Sequence, residues 1–413
     1  MEYKATIEEE NKEIAKRYKN LLKETYQTLS RSDKLMIRKA FNLSVDAHSN
    51  QRRKTGEPYI FHPISVAKIV ANEIGLGATS IAAALLHDVV EDTKYTVDDI
   101  EQLFGETVAR IVSGLTKISS LKKDKDHSIQ AENFRKMLLT LHDDVRVILI
   151  KVADRLHNMQ TMDAMPAHKQ VKIASETLYI YAPLAHRLGL YNIKTELEDL
   201  GLKYTEPEVY NDIISKISDS KEEQENYIKS FENTLNSGLS KESFKYQIRG
   251  RFKSIFSILR KMRKQNVSFD EVYDKFAIRI IYEPTSEDEK FDAWKIYSIV
   301  TDYFKPNPSR LRDWISQPKS TGYEALHITV VGPESKWVEV QIRSNRMDEI
   351  AEKGYAAHFK YKQGIENDNG LDGWLNRLKE TLENQSINAV DFVEDFKLNL
   401  YAKEIYVFTP KGD

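Results

Sequence analysis

The chain has 413 residues, of which 41% are hydrophobic and 30% charged, and its formal net charge is −2. That length is more than one core comfortably organises and predicts two or three domains. A near-neutral balance excludes a global electrostatic pull toward nucleic acid or membrane, and the absence of cysteine excludes disulfides, thiolate metal sites and a cysteine nucleophile and suits a reducing cytosol.

The opening residues, MEYKATIEEENKEIAKRYKN, are charged and lack the apolar centre of a signal peptide. No run approaches the roughly 18 apolar residues of a membrane span, so a soluble, cytoplasmic protein is expected. From the start to about Leu200 the pattern is helical: ISVAKIVANEI (64–74) and SIAAALLHDVV (80–90) space apolar residues by three and four. Within the second stretch, Glu91 and Asp92 follow His87 and Asp88 by four residues each. A continuous helix would set the two pairs on one face. His62 beside Pro63, the His87-Asp88 pair, and Asp154 in KVADRLHN (151–158) make a candidate metal set drawn from three segments. Imidazoles and carboxylates without thiolate favour Mn²⁺ or Fe²⁺, with Zn²⁺ also compatible. Glu91 and Asp92 are then left to hold or deprotonate water. A single helical histidine is more often a satisfied core group. Adjacent ionisable residues directly after the apolar run IAAALL are harder to explain structurally, because burying unpaired charge is costly. Upstream, QRRKTGEPYIFHP (51–63) holds Arg52, Arg53 and Lys54 in a glycine-containing turn, either a bare basic loop or a seat for phosphate.

Residues 206–242, rich in Lys, Glu and Ser, are expected to be a solvated helical connector, and beyond Phe244 the texture changes. From Phe244 to Lys264 there are eight Lys/Arg and no Asp/Glu. At helical spacing Ile255, Ile258, Leu259 and Met262 form an apolar stripe that leaves Arg251, Lys253 and Lys261 on polar faces. Three readings stand for this segment: a solvated basic helix, a polyphosphate site, or a nucleic-acid surface. Strands are predicted at FAIRIIY (276–282), ALHITVVG (325–332) and WVEVQIR (337–343), and helices at 291–304 and 346–362, so the second half is mixed α/β. Asp274 precedes the first strand, and Glu339 stands between two valines in the last, facing away from them. A basic segment with two strand carboxylates signals Mg²⁺-assisted nucleotide chemistry. PKSTGYEALH (318–327) adds a turn before Tyr323, a side chain suited to stacking on a purine or to core packing.

The strings RKTGEPYIFHP, HDVVEDT and KVADRLHNM resemble the HD-type hydrolase domain of the RelA/SpoT homologue family, which cleaves the alarmone (p)ppGpp. The resemblance implies an all-α domain with His62, His87, Asp88 and Asp154 as Mn²⁺ ligands, and Glu91 and Asp92 acting on the attacking water. It also places Arg53, Lys54 and Thr55 around the guanine nucleotide, with Asn158 and Thr161 as further substrate contacts. GRFKSIFSILRKM, YDKFAIRII, RLRDWISQPKSTGYEALH, VEVQIR and AEKGYAAHFKYK resemble the same family's (p)ppGpp synthetase domain, an α/β (α+β) nucleotidyltransferase-like fold. That domain moves the β,γ-pyrophosphate of ATP to the 3′-OH of GDP or GTP. By resemblance Asp274 and Glu339 hold Mg²⁺, with Glu339 also activating the hydroxyl. Arg251 and Arg279 flank the adenine, and Lys253, Ser257 and Lys261 address the donor phosphates. Tyr323 stacks on the guanine near Lys319, His327 and Gln341.

The sequence departs from the family's PKxNGYQSLH at Thr321, Glu324 and Ala325, and from AAHWxYK at Phe359, which bears on acceptor preference and rate. Glu324 would add negative charge near the phosphates if it faced them. The basic stretch Arg310–Asp313 agrees with bifunctional members. The expected organisation is a hydrolase domain over 1–200, a helical connector over 201–245, a synthetase domain over 246–385, and a linker opening a TGS domain over 386–413. In the family a C-terminal half beyond that point engages the ribosome and tRNA. Three functions follow for weighing: a bifunctional alarmone enzyme, a hydrolase-dominant one with a weak synthetase, and a nucleic-acid-binding regulator with vestigial sites. If both activities are live, the connector is expected to couple them.

Overall fold

The computed structural model describes residues 5–119, 144–242, 245–272, 275–285, 288–319 and 321–354. Asp274, the AAHFKYK stretch with Phe359, and the whole segment from 386 onward lie outside the described residues.

The first half is helical. Its helices are α1 (Ile7–Lys23), α2 (Arg31–Ala47), α3 (Phe61–Lys68, continued by a π-helical turn Ile69–Ile74), α4 (Ala78–Leu85), α5 (Val89–Asp92), α6 (Val97–Phe104) and α7 (Glu106–Ser119). After them come α8 (Val145–Gln160), α9 (Ala167–Glu176, continued by Thr177–Tyr181), α10 (Ala182–Arg187) and α11 (Tyr191–Thr205). Thr6, Ser30 and Thr96 each form a reciprocal capping box with the acidic residue three positions on, which fixes where α1, α2 and α6 begin. One apolar core runs through the bundle, with Ile37, Phe61, Ile81, Leu85, Leu86, Ile148 and Leu149 fully buried.

The expected continuous helix over 80–92 is interrupted. α4 ends at Leu85, His87 and Asp88 sit in a turn, and α5 is a single turn. Neighbouring side chains on a regular helix diverge; here the break lets His87 Nε2 and Asp88 Oδ2 lie 3.1 Å apart and face the same point.

The stretch expected as a solvated connector is two helices with buried faces, α12 (Pro207–Asp219) and α13 (Lys221–Leu239). On α13, Tyr227, Phe231, Leu235 and Leu239 enter the core of the second half. The segment is therefore part of that core, not a linker laid over solvent.

The basic segment is also only half helical. β1 (Tyr246–Phe252) precedes α14 (Ile255–Gln265), so Arg251 lies on a strand and Lys253 at its exit. The other elements are β2 (Phe276–Tyr282), α15 (Glu289–Tyr303), β3 (Arg312–Asp313), β4 (Leu326–Val331), β5 (Trp337–Ser344) and α16 (Asn345–Lys353). They build one sheet in the order β1-β2-β5-β4-β3, with β2 and β5 parallel and the other pairs antiparallel. α13 and α15 cover one face. So closely does α13 approach that a Cβ on Gly250 would sit 2.1 Å from Ile228 Cδ1.

The halves meet through α11, α14 and α16. The Asp199 carboxylate of α11 accepts the Phe256 N–H at the start of α14, 2.9 Å away, supplying a partner to an amide that has none within its own helix. Burial pushes the Asp199 carboxyl up to about 6 against the pull of the amides of Phe256 and Ile255. A carboxyl raised in the folded state is protonated there while the unfolded chain already ionises, so stability falls as pH rises from about 4 through about 6. Asp199→Asn keeps an acceptor and removes that dependence. The variant is expected to gain on the order of 2 kcal/mol relative to the parent between about pH 4 and pH 7, as read by urea unfolding at both pH values.

Candidate functional site

The helical half converges on one buried point. His62 comes from α3, His87 and Asp88 from the turn after α4, and Asp154 from α8. His62 Nε2 lies 3.3 Å from His87 Nε2, 3.2 Å from Asp154 Oδ1 and 3.7 Å from Asp88 Oδ2. His87 Nε2 lies 3.1 Å from Asp88 Oδ2 and 4.0 Å from Asp154 Oδ1. Donors held about 2.1 Å from one ion are about 3.0–4.2 Å from each other, so the measured separations fit a shared divalent cation. Among the described residues, His62, His87 and Asp154 form a buried group able to hold a metal ion, and Asp88 faces the same histidines.

Surrounding groups orient these four. His87 Nδ1 is 2.8 Å from the Ala84 carbonyl oxygen, which can only accept, so Nδ1 carries a proton and Nε2 faces the cluster, where a bound cation would take the place of any second proton. His62 Nδ1 lies 2.8 Å from His157 Nδ1. Asn158 Nδ2 donates to Asp154 Oδ1 over 2.6 Å, and Lys151 Nζ lies 3.0 Å from Asp154 Oδ2. The Tyr59 hydroxyl donates to Asp88 Oδ2 at 2.6 Å and reaches Asp92 Oδ2 at 3.4 Å.

The electrostatics follow from burial and close opposite charges. Burial opposes charge on His87, but the adjacent Asp88 carboxylate prevails and carries its pKa up to about 9. Burial also opposes ionisation of both carboxyls, yet His87 holds Asp88, and Lys151 holds Asp154, below the usual carboxylate range. His157 is pushed down to about 3 by burial, then by His62 and Arg53.

Lys54 and Thr55 are exposed on the 51–59 loop, which turns through Gly56 at φ 89°. Arg53 reaches inward, donating to Thr161 Oγ1 at 2.9 Å. Loop and helix are thus joined at the rim of the cluster by two of the expected substrate residues. Glu91 and Asp92 are exposed at the same end. Asn158, expected as a substrate contact, is occupied with Asp154. Tyr59, Lys151 and His157 also touch the cluster and are not among the residues expected from the sequence. Their signal is spacing: Tyr59 stands three residues before His62, while Lys151 and His157 flank Asp154 by three.

In the second half, strand register gathers the expected residues on the sheet face opposite α13 and α15. Arg279 pairs with Gln341, which pairs with His327, in one row across β2, β5 and β4. Glu339 pairs with Ala277 and Thr329 in the next row, and Arg251 also pairs with Ala277. Val338 and Val340 are buried while Glu339 is half-buried, the alternation expected of this strand. Gln341 Nε2 donates to Glu339 Oε1 at 2.7 Å, and His327 Nδ1 lies 3.7 Å from the same oxygen.

At the start of α14, Ser254 caps the helix by accepting the Ser257 N–H at 3.1 Å, and its hydroxyl donates to the Ser257 hydroxyl at 2.9 Å. Lys253 precedes this cap, and Lys261 follows within the helix. Arg279 is 7% exposed and pairs with Glu352 at 2.9 Å and Asp348 at 3.4 Å, both from α16.

Tyr323 follows a tight turn at Gly322 (φ 75°) and is nearly buried. Its hydroxyl is 2.8 Å from His327 Nε2, and Lys319 Nζ lies 4.7 Å from its ring centroid. Thr321 shares a hydrogen bond of 2.7 Å with the Tyr191 hydroxyl of α11. Glu324 is engaged by Arg346 at 2.6 and 3.0 Å, so its charge is matched rather than free beside a phosphate site.

Residues 40–191 match the HD domain family, and residues 250–366 match the region found in RelA/SpoT proteins. A GTP pyrophosphokinase of Myxococcus xanthus is 44% identical over 92% of this chain and 50% of its own length. A probable guanosine-3′,5′-bis(diphosphate) 3′-pyrophosphohydrolase of Synechocystis is 43% identical over 92% of this chain and 50% of its own. The bifunctional (p)ppGpp synthase/hydrolase SpoT of Escherichia coli is 40% identical over 95% of this chain and 55% of its own. The chain spans about half the length of these curated relatives. Among the described residues no helix is long and apolar enough to cross a membrane.

If the four donors bind a divalent ion, the ion stabilises the folded chain by mass action. At about one hundred times its dissociation constant the gain is about 2.7 kcal/mol. The unfolding midpoint of EDTA-stripped protein is expected to rise on adding Mn²⁺, and that rise is expected to vanish in His62→Ala.

Proposed function

We propose, for a chain that belongs to the RelA/SpoT homologues, that it both breaks down and makes the alarmone (p)ppGpp. The observation that carries this reading is the convergence of His62, His87, Asp88 and Asp154 inside the HD region. Those four would hold Mn²⁺, which supplies an acidified water and a polarised phosphoryl oxygen when bound. Glu91 and Asp92, exposed at the cluster's rim, orient the attacking water and take its proton. Arg53, Lys54, Thr55 and Thr161 receive the nucleotide, the guanidinium meeting its phosphates as a planar fork. Asn158 steadies Asp154 from the same helix face. The products are GDP or GTP and pyrophosphate, and substrates of this kind place the enzyme in the cytoplasm.

On the sheet face Glu339, with Asp274, would hold Mg²⁺, which neutralises charge developing on the donor phosphates. Lys253, Ser257 and Lys261 address those phosphates at the start of α14. Arg251 and Arg279 embrace the adenine, a use of planar guanidinium that lysine does not reproduce. Tyr323 stacks on the guanine of GDP or GTP, with Lys319, His327 and Gln341 beside it. Glu339 accepts the proton of the attacking 3′-OH, the bond to the β-phosphorus of ATP forms, and AMP leaves.

A hydrolase-dominant reading has a specific observation in its favour. Arg279 is held by Glu352 and Asp348, and Tyr323 is packed beneath Lys319, so both nucleotide-facing groups must let go of protein partners first. The nucleic-acid reading of the basic segment loses ground, because Arg251 points onto the same sheet face as Glu339.

Incubating the purified chain with ppGpp and Mn²⁺, and separately with ATP, GDP and Mg²⁺, tests both halves. Asp88→Asn is expected to lose cleavage by at least about 100-fold while retaining synthesis, and Asp274→Asn to do the reverse. No turnover in either tube, with salt-sensitive RNA binding instead, would sink the reading.

A further inference from the structure

We propose that His157 is a positioning residue that sets the ring tautomer of His62, and through it the grip of the cluster on its ion. The inference rests on the hydrolase reading above and deepens it. The two cluster histidines are oriented by different means. His87 is fixed by backbone, since the Ala84 carbonyl 2.8 Å from its Nδ1 can only accept. His62 has another imidazole nitrogen at the same distance, His157 Nδ1 at 2.8 Å. Two ring nitrogens that close accommodate one proton between them.

If His157 holds it, the His62 proton sits on Nε2, the atom that faces His87, Asp88 and Asp154, and that atom has no lone pair for a cation. If His62 holds it, His157 accepts, its own hydrogen is on Nε2, and His62 Nε2 is a donor. His62 is 3% exposed, so bulk water does not rearrange this choice. His157 stands three residues after Asp154 on α8, so one helix face delivers both a ligand and the group that prepares another ligand.

The test uses geometry to separate positioning from packing. The side-chain oxygen of Asn can take the place of the histidine Nδ1, while that of Gln reaches toward the Nε2 position. Mn²⁺ affinity is measured by competition titration of the full chain for the parent, His157→Phe, His157→Gln and His157→Asn, with unfolding midpoints in EDTA as the folding control. His157→Phe and His157→Gln are expected to bind Mn²⁺ about 10–100-fold more weakly, and His157→Asn to stay within about threefold of the parent. Equal affinity in His157→Phe and the parent overturns the proposal, as does an Asn variant as weak as the Gln variant. Should His157→Phe fail the folding control, the Asn and Gln pair decides. A parent that binds no Mn²⁺ and cleaves no ppGpp overturns the hydrolase reading itself, a result distinct from these.

Discussion

Two imidazoles and two carboxylates are enclosed in a helical bundle whose other interior residues are mostly apolar. That concentration of charge is the constraint on which the first half depends. Desolvation alone would neutralise such groups, yet Asp88 and Asp154 are held ionised by His87 and Lys151. The surrounding fold provides for this charge. α3 supplies His62, α8 supplies Asp154 together with Lys151, His157 and Asn158, and the chain breaks helical geometry between Leu85 and Val89 so that His87 and Asp88 face inward together. A longer, more regular helix there would pack well and lose the site.

Much of this was legible from residue order. The motifs pointed to the four donors, and β2 has the predicted bounds because FAIRIIY is rich in isoleucine and aromatic residues, with Arg279 its one charged residue. Other features were hidden for physical reasons. The apolar period of 80–90 runs through the interruption, so nothing in the hydrophobic pattern marks it. In FKYQIRGRF the alternation of Tyr246, Ile248, Gly250 and Phe252 is a strand signal, masked by the density of positive charge around it. In α13 the abundance of Lys, Glu and Ser suggests a solvated helix, although Tyr227, Phe231, Leu235 and Leu239 form a stripe at intervals of four. The pairing of Glu324 with Arg346 depends on a tertiary approach that spacing does not encode.

Beside residues 200–245, the segment expected to link the two activities, the halves also meet at a direct seam. α16 touches the helical half through Glu352, which takes a hydrogen bond from Asn192 while pairing with Arg279. Glu349 meets Tyr26, and Lys353 meets the Asn72 carbonyl. α11 answers from the other side with Tyr191 on Thr321 and Asp199 on Phe256. At Gly354 (φ 60°) a side chain has no room, since a Cβ would lie 2.7 Å from the Gly189 carbonyl carbon. The residue expected to meet adenine therefore shares a carboxylate with the neighbouring domain.

Lys151 has a consequence of its own. Its ammonium lies 3.0 Å from Asp154 Oδ2, the oxygen other than the one nearest the histidines. A carboxylate so engaged offers one oxygen and a diminished share of its charge, which makes it a weaker electron donor than a free aspartate. An ion seated among the four donors would share Asp154 with that ammonium, and would be held less tightly than by the same set with an unpaired aspartate.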